Sequence, residues 1–212
     1  MVVTRQIVGW YKGSVVQRMS ERLQRALQLI DDANREDPNW EIVEGTCIPR
    51  ALLYGQRMTA WLLRLDPNPP ETLQLAARGQ HIRRWEIPRT SYPATRDGYL
   101  AWRTRLYRFH AEQVGSILRQ LGYDDPTVER VARIVAKRGL KQDPDVQRIE
   151  DIACLVFLDY QLAEFATAHA RDKVIDIVRR TWRKMSETGR AEALRLPLSD
   201  SLALLVREAL ES

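Results

Sequence analysis

A chain of 212 residues, 44% of them hydrophobic, fits one domain and is long enough to bury a substantial core. It holds no run of about 18 uncharged apolar residues, which excludes a transmembrane helix, and the start MVVTRQIVGWYKGSVV lacks the apolar stretch of a secretory signal. The net charge of +5 comes from 33 basic residues, 28 of them arginine and five lysine, against 28 acidic ones. Arginine is the better bidentate partner of phosphate and carboxylate, so a phosphate-bearing partner fits this balance, as does a coding preference for arginine over lysine. The two cysteines, Cys47 and Cys154, read as reduced packing residues of a cytoplasmic protein.

Residues 1–15 read as an N-terminal extension and 16–212 as one helical domain. Gln17 to Asn34 is amphipathic, with Leu23, Ala26, Leu27 and Ile30 on one face. Asp37-Pro38-Asn39 breaks it, and Trp40 to Thr46 reads as a connector. Pro49 opens a helix through Leu65, along which Leu53, Arg57, Ala60 and Arg64 share a stripe, and the run DPNPPE stops it. Thr72 to Trp85 reads as a helix that turns Leu73, Ala76, Ala77, Gln80, His81 and Arg84 inward. The loop Ile87 to Thr95 contains two prolines and is of the kind that borders sites.

Tyr99 to Leu121 follows as a helix with Arg103, Leu106, His110, Val114, Ile117 and Leu121 inward, ended by Gly122. Asp124-Asp125-Pro126 starts a helix through Arg138, capped by Gly139 and followed by the polar turn KQDPD. Ile149 to Phe165 is apolar nearly all round and opens with Glu150 and Asp151. Asp172 to Met185 sets Ile175, Val178, Trp182 and Met185 inward, with Arg179, Arg180, Arg183 and Lys184 around the opposite face. Ser199 to Leu210 is a short final helix. Strand signals are nearly absent. The expected fold is an all-α, single-domain, multi-helix bundle.

The polar residues on inward faces mark the candidate site, because an unpaired buried polar group costs about 1–3 kcal/mol. His81, His110 and Asp151 offer the nitrogen and oxygen donors that suit Mn, Fe or Zn, and helix bundles commonly assemble metal sites from separate helices. Glu150, Arg57, Arg84 and Arg103 are the candidate catalytic residues, and Gln80, Arg83 and Arg89 the candidate substrate-binding ones. The alternative is that each histidine bonds to one carboxylate or carbonyl and each arginine to one buried acid. Glu150 and Asp151 also suit a first helical turn. Glu112 points away from His110, and Asp159, mid-helix among apolar turns, requires a partner.

The segments YGQRMTAWLLRL, LAARGQHIRRWEIPR, GYLAWRTRLYRFHAE and EDIACLVFLDYQLAEFA resemble a domain-of-unknown-function family with bacterial, plant and fungal members, from about Arg22 to Leu198. Some fungal members carry the label glutamyl-tRNA synthetase, but HIRR and WRKMS match that enzyme's signatures only superficially, and an all-α chain lacks its nucleotide-binding sheet. The helix LAARGQHIRRW is also similar, more distantly, to the one bearing the His-Asp pair of HD-type metal phosphohydrolases. Aligned on LAA, Gln80 and His81 take the places of that pair, Tyr54 to Arg57 fall where another histidine belongs, and Asp151 or Asp159 takes the place of the distal aspartate. The resemblance implies a divalent metal and hydrolysis of a phosphorylated small molecule or nucleotide. The second expectation is a non-catalytic module that binds RNA or another polyanion through Arg179, Arg180, Arg183 and Lys184. A homo-oligomer is compatible with either, and no membrane partner is expected.

Overall fold

Ser20 caps the first described helix, its side chain accepting from the Leu23 N–H at 3.1 Å. The computed structural model describes residues 20–211, so the N-terminal extension at 1–15 lies outside the described residues. Helix α1 (Glu21–Arg35) buries Leu23, Ala26 and Ile30 as its periodicity dictates. It also buries Asp31, whose carboxylate takes both arms of the Arg78 guanidinium at 2.6 and 2.7 Å. Bidentate pairing of this kind fixes orientation as well as charge, here between α1 and a helix 47 residues away.

The expected connector from Trp40 is instead a β-hairpin, β1 (Trp40–Val43) antiparallel to β2 (Thr46–Pro49), with Trp40 opposite Pro49 and Val43 opposite Thr46. Its two-residue turn puts Glu44 at φ 50° and Gly45 at φ 78°. Positive φ at both central positions is the primed hairpin turn that matches strand twist. Glu-Gly is a weaker signal for that turn than Asn-Gly or Asp-Gly, which is why the pattern hid it. Buried Asp37 ties the hairpin base to the next helix, accepting from the N–H groups of Asn39 and Ala51, both at 2.9 Å.

Helices α2 (Arg50–Leu65), α3 (Glu71–Arg78), α4 (Arg96–Gln120), α5 (Asp125–Val135) and α6 (Pro144–Val156) supply the centre of the core. Met58, Leu62, Leu75, Leu118, Ile134 and Ile152 are fully buried there. A π turn (Phe157–Gln161) joins α6 to α7 (Leu162–Ala168), followed by α8 (Arg171–Lys184), α9 (Glu187–Ala193) and α10 (Asp200–Glu211). The architecture is all-α apart from the hairpin, as expected. Among the described residues no helix is long and apolar enough to cross a membrane.

Of the helix boundaries that differ from expectation, two matter for the site. Helix α6 begins at Pro144, capped by the Asp143 carboxylate, so KQDPD is a helix start rather than a turn alone. Glu150 and Asp151 therefore sit in the interior of α6, buried, and not in a first turn. Helix α3 ends at Arg78 rather than Trp85, and the chain turns through Gly79 to Arg83 (φ 51°) into a short 3-10 segment, Arg84–Glu86. Gly79 lies where α3 meets α4, and a methyl group there would overlap Val114 Cγ2. Gly79→Ala is expected to cost about 1–3 kcal/mol by overpacking and to lower the melting midpoint by several degrees; an unchanged thermal melt would contradict that contact.

Candidate functional site

The early end of α3 releases His81 and Arg84 from the helical stripe and delivers them to the wall of a cleft of about 640 Å³. A cleft of this size suits a small organic ligand. The hairpin base and α2 contribute Glu41, Tyr54 and Arg57. The loop after α3 contributes Arg84, Trp85 and Arg89, α4 contributes Trp102, and the π turn with α7 contributes Phe157, Gln161, Glu164, Phe165 and His169. Of the expected residues, the cleft gathers His81, Arg57, Arg84 and Arg89.

His81 stacks on Tyr54, ring centroids 3.6 Å apart and 11° from parallel. His110 lies beside it, centroids 5.9 Å apart, with Nδ1 2.8 Å from the Ile82 carbonyl oxygen. That carbonyl accepts only, so Nδ1 carries the proton and Nε2 keeps its lone pair; buried Nε2 has no partner among the described residues. Burial, then the nearby Arg84 cation, pushes the His110 pKa down to about 3. Burial, Arg84 and His110 itself hold His81 well below the ordinary range. Both imidazoles are neutral at physiological pH. Burial also pushes the Tyr54 hydroxyl up to about 12.

Arg84 lies over the indole face of Trp102, 4.8 Å from its centroid, and that indole is fixed by donating from Nε1 to the Ile87 carbonyl at 2.9 Å. Burial lowers the Arg84 pKa from its ordinary value, but guanidinium remains a cation at any pH the protein meets. Among the described residues Arg84 forms no ion pair. Arg89 approaches the same indole and donates to the carbonyls of Tyr92 and Pro93 at 2.8 and 2.7 Å. Arg57 is held by Glu41 at 2.5 Å and lies over the Tyr160 ring.

The other expected residues are engaged elsewhere. Arg103 donates to the hydroxyls of Tyr99 and Tyr107, outside the cleft lining. Arg83 faces outward and pairs with Glu36 and Glu86 at 2.9 and 3.0 Å, because the left-handed backbone at Arg83 turns it off the helical register. Gln80 is buried, donating weakly to the Ala76 carbonyl at 3.4 Å. Glu150 is matched by Lys137 at 2.5 Å and Lys184 at 3.6 Å. Burial alone would raise its pKa, but Lys137, then Lys184 and Arg103, hold it at about 2.

Asp151 accepts from the Ser186 N–H and hydroxyl at 2.8 and 2.5 Å and from Gln147 at 3.0 Å, which seats the start of α9. Both acids are thus committed to lysines or to α9, and neither joins the imidazoles. Among the described residues no group of three or more His, Cys, Asp or Glu side chains is placed to hold a metal ion. His110 Nε2 keeps an unshared lone pair, but two imidazoles without a carboxylate do not make the expected ligand set of His81, His110 and Asp151.

The basic face expected of α8 is also partly spent. Arg179 donates to the Ala209 carbonyl, Arg180 pairs with Asp176, and Lys184 reaches Glu150. Sequence reasoning missed Trp102, Phe165, His169 and Gln161. Its one pointer was Asp159, singled out as a carboxylate among apolar turns, which falls inside the π turn. Such turns recur at functional sites.

Neutral His110 gives the fold a defined response to acid. An unfolded imidazole titrates near 6.5 and the folded one near 3, so between these values only the unfolded chain takes up that proton. The associated stability is complete above about pH 6.5 and is lost as pH falls toward 3. His110→Leu is expected to flatten the fall in unfolding free energy between about pH 6.5 and 4.5, by up to about 1.4 kcal/mol per pH unit. Urea titrations at each pH measure this, and an unchanged slope would mean that the folded imidazole is protonated.

Comparison with known proteins gives no curated protein and no solved structure that matches the chain. Residues 24–206 match a family model described as a domain of unknown function, DUF4202. That span takes in every helix that lines the cleft, and the chain belongs to this family.

Proposed function

We propose that the cleft binds a phosphate-bearing small molecule, with the phosphate on Arg84. The observation that carries this reading is a half-buried guanidinium laid on Trp102, with no carboxylate partner among the described residues. A buried cation without a counter-charge is costly, and a planar fork of N–H donors fits a phosphate bidentately. Arg57 and Arg89 border the same space. Neutral His81 adds a ring that is free to donate or accept one hydrogen bond to an ester or hydroxyl oxygen.

The phosphorylated ligand expected from the likeness to HD-type phosphohydrolases is thereby retained. The divalent ion is not, because the donors beside His81 and His110 are the wrong set, and no hydrolytic step is assigned. Thermal melts with orthophosphate and with ribose 5-phosphate test the reading. Ligand at 100 times its dissociation constant stabilises by about 2.7 kcal/mol, a rise of several degrees for a chain of this length. Arg84→Gln is expected to abolish the rise, whereas Arg83→Gln, on the outer surface, keeps it. A wild-type midpoint that neither phosphate moves, or an equal rise in Arg84→Gln, would contradict the proposal.

A further inference from the structure

The arginines occupy one part of the cleft wall, and the remainder has a different chemistry. There the π turn and α7 present Phe157, Gln161, Glu164, Phe165 and His169. Phe165 and His169 are stacked, ring centroids 4.2 Å apart and 20° from parallel, with Phe157 against the edge of Phe165 at 5.8 Å. All three aromatic rings are only partly buried: Phe157 and Phe165 rest one side on the core and, with His169, present the other to the cleft.

Packing accounts for the two phenylalanines but not for the polar residues beside them. Nδ1 of His169 is buried with no partner among the described residues, a cost that an apolar side chain would avoid. Gln161 and Glu164 line the cleft with an amide and a carboxylate that make no side-chain hydrogen bond or ion pair among the described residues. The backbone that presents Phe157 and Gln161 to the cleft is the π turn itself, a departure from α-helix of the kind that recurs at functional sites.

We infer that the ligand is a phosphomonoester of a planar nitrogen heterocycle, its ring resting on the Phe165–His169 stack and its polar edge read by Gln161 and Glu164. The inference rests on the phosphate reading above and extends it to the other half of the molecule. An aromatic face accepts any flat ring, and sequence-tolerant stacking of this kind strengthens binding by one order of magnitude or more per ring. An amide supplies one donor and one acceptor side by side, and a carboxylate accepts from a ring amino group or N–H, so the edge is recognised as well as the face. The cleft volume of about 640 Å³ holds a molecule of mononucleotide size. Nucleoside monophosphates and flavin mononucleotide share this chemistry, and the titrations separate them.

Isothermal titration of the full chain with ribose 5-phosphate, adenosine 5′-monophosphate and flavin mononucleotide tests the inference. At least one of the two ring-bearing esters is expected to bind roughly tenfold tighter than ribose 5-phosphate, and the tighter of them names the source. Phe165→Leu, which keeps apolar bulk, is expected to bring that ratio toward one with ribose 5-phosphate binding unchanged. Gln161→Ala is expected to lower the same ratio and covers the case in which Phe165→Leu folds poorly. If all three esters bind equally to the wild type, or if both variants keep the ratio, the inference falls while the phosphate reading stands. If none binds, the phosphate reading falls and takes the inference with it.

Discussion

A positive charge laid on an indole face, with no carboxylate partner among the described residues, organises the candidate site. The turn after α3 sets the Arg84 guanidinium on the face of Trp102, in a wall that displaces water on one side. Cation–π attraction offsets part of the lost hydration but does not neutralise the charge. The same cation acts inward, helping burial to keep His81 and His110 neutral. Neutral His81 and the Arg84 cation at the cleft wall, with neutral His110 behind them, follow from this placement, and the proposed anionic ligand would complete the set.

Elsewhere the interior charges are answered, which sharpens the contrast. Asp31 takes both arms of Arg78, Glu150 is met by Lys137 and Lys184, and Asp151 is saturated by Ser186 and Gln147. They join α1 to α3, the turn after α5 and the end of α8 to α6, and α6 to the cap of α9. These groups act as geometric fasteners, because removing one partner of a buried pair leaves an uncompensated charge and costs several kcal/mol. Half-buried Arg84 has no such partner among the described residues, which is the ground for the proposed ligand.

Much of the helical fold was legible because amphipathic periodicity and caps agree. The stripe of Leu23, Ala26 and Ile30, the stops at DPNPPE and Gly122, and the start at Asp124 all stand as read. The hairpin was not, since its Glu-Gly turn carries little signal and its strands are only four residues long. The site was half legible. Reading inward polar residues singled out Arg57, His81 and Arg84, which line the cleft, and buried His110, but periodicity carried α3 seven residues too far and set Gln80 on the same stripe as His81 and Arg84. Asp151 and Glu150 looked like ligands because sequence shows that a carboxylate is buried without showing which lysine or hydroxyl meets it. The Phe165–His169 wall was illegible, because a π turn shifts the register of every residue after it and α-helical spacing assigns them to the wrong faces.

The central claim is that Arg84 is held unpaired for a ligand rather than for the fold. The ligand-free melting temperature of Arg84→Met tests it most directly, because methionine keeps apolar contact with Trp102 and removes the charge. The account predicts a midpoint equal to or above that of the wild type, as expected when a site residue is kept at a cost to stability. A midpoint several degrees lower would contradict it, by showing that the guanidinium is a structural element whose partner is the protein itself.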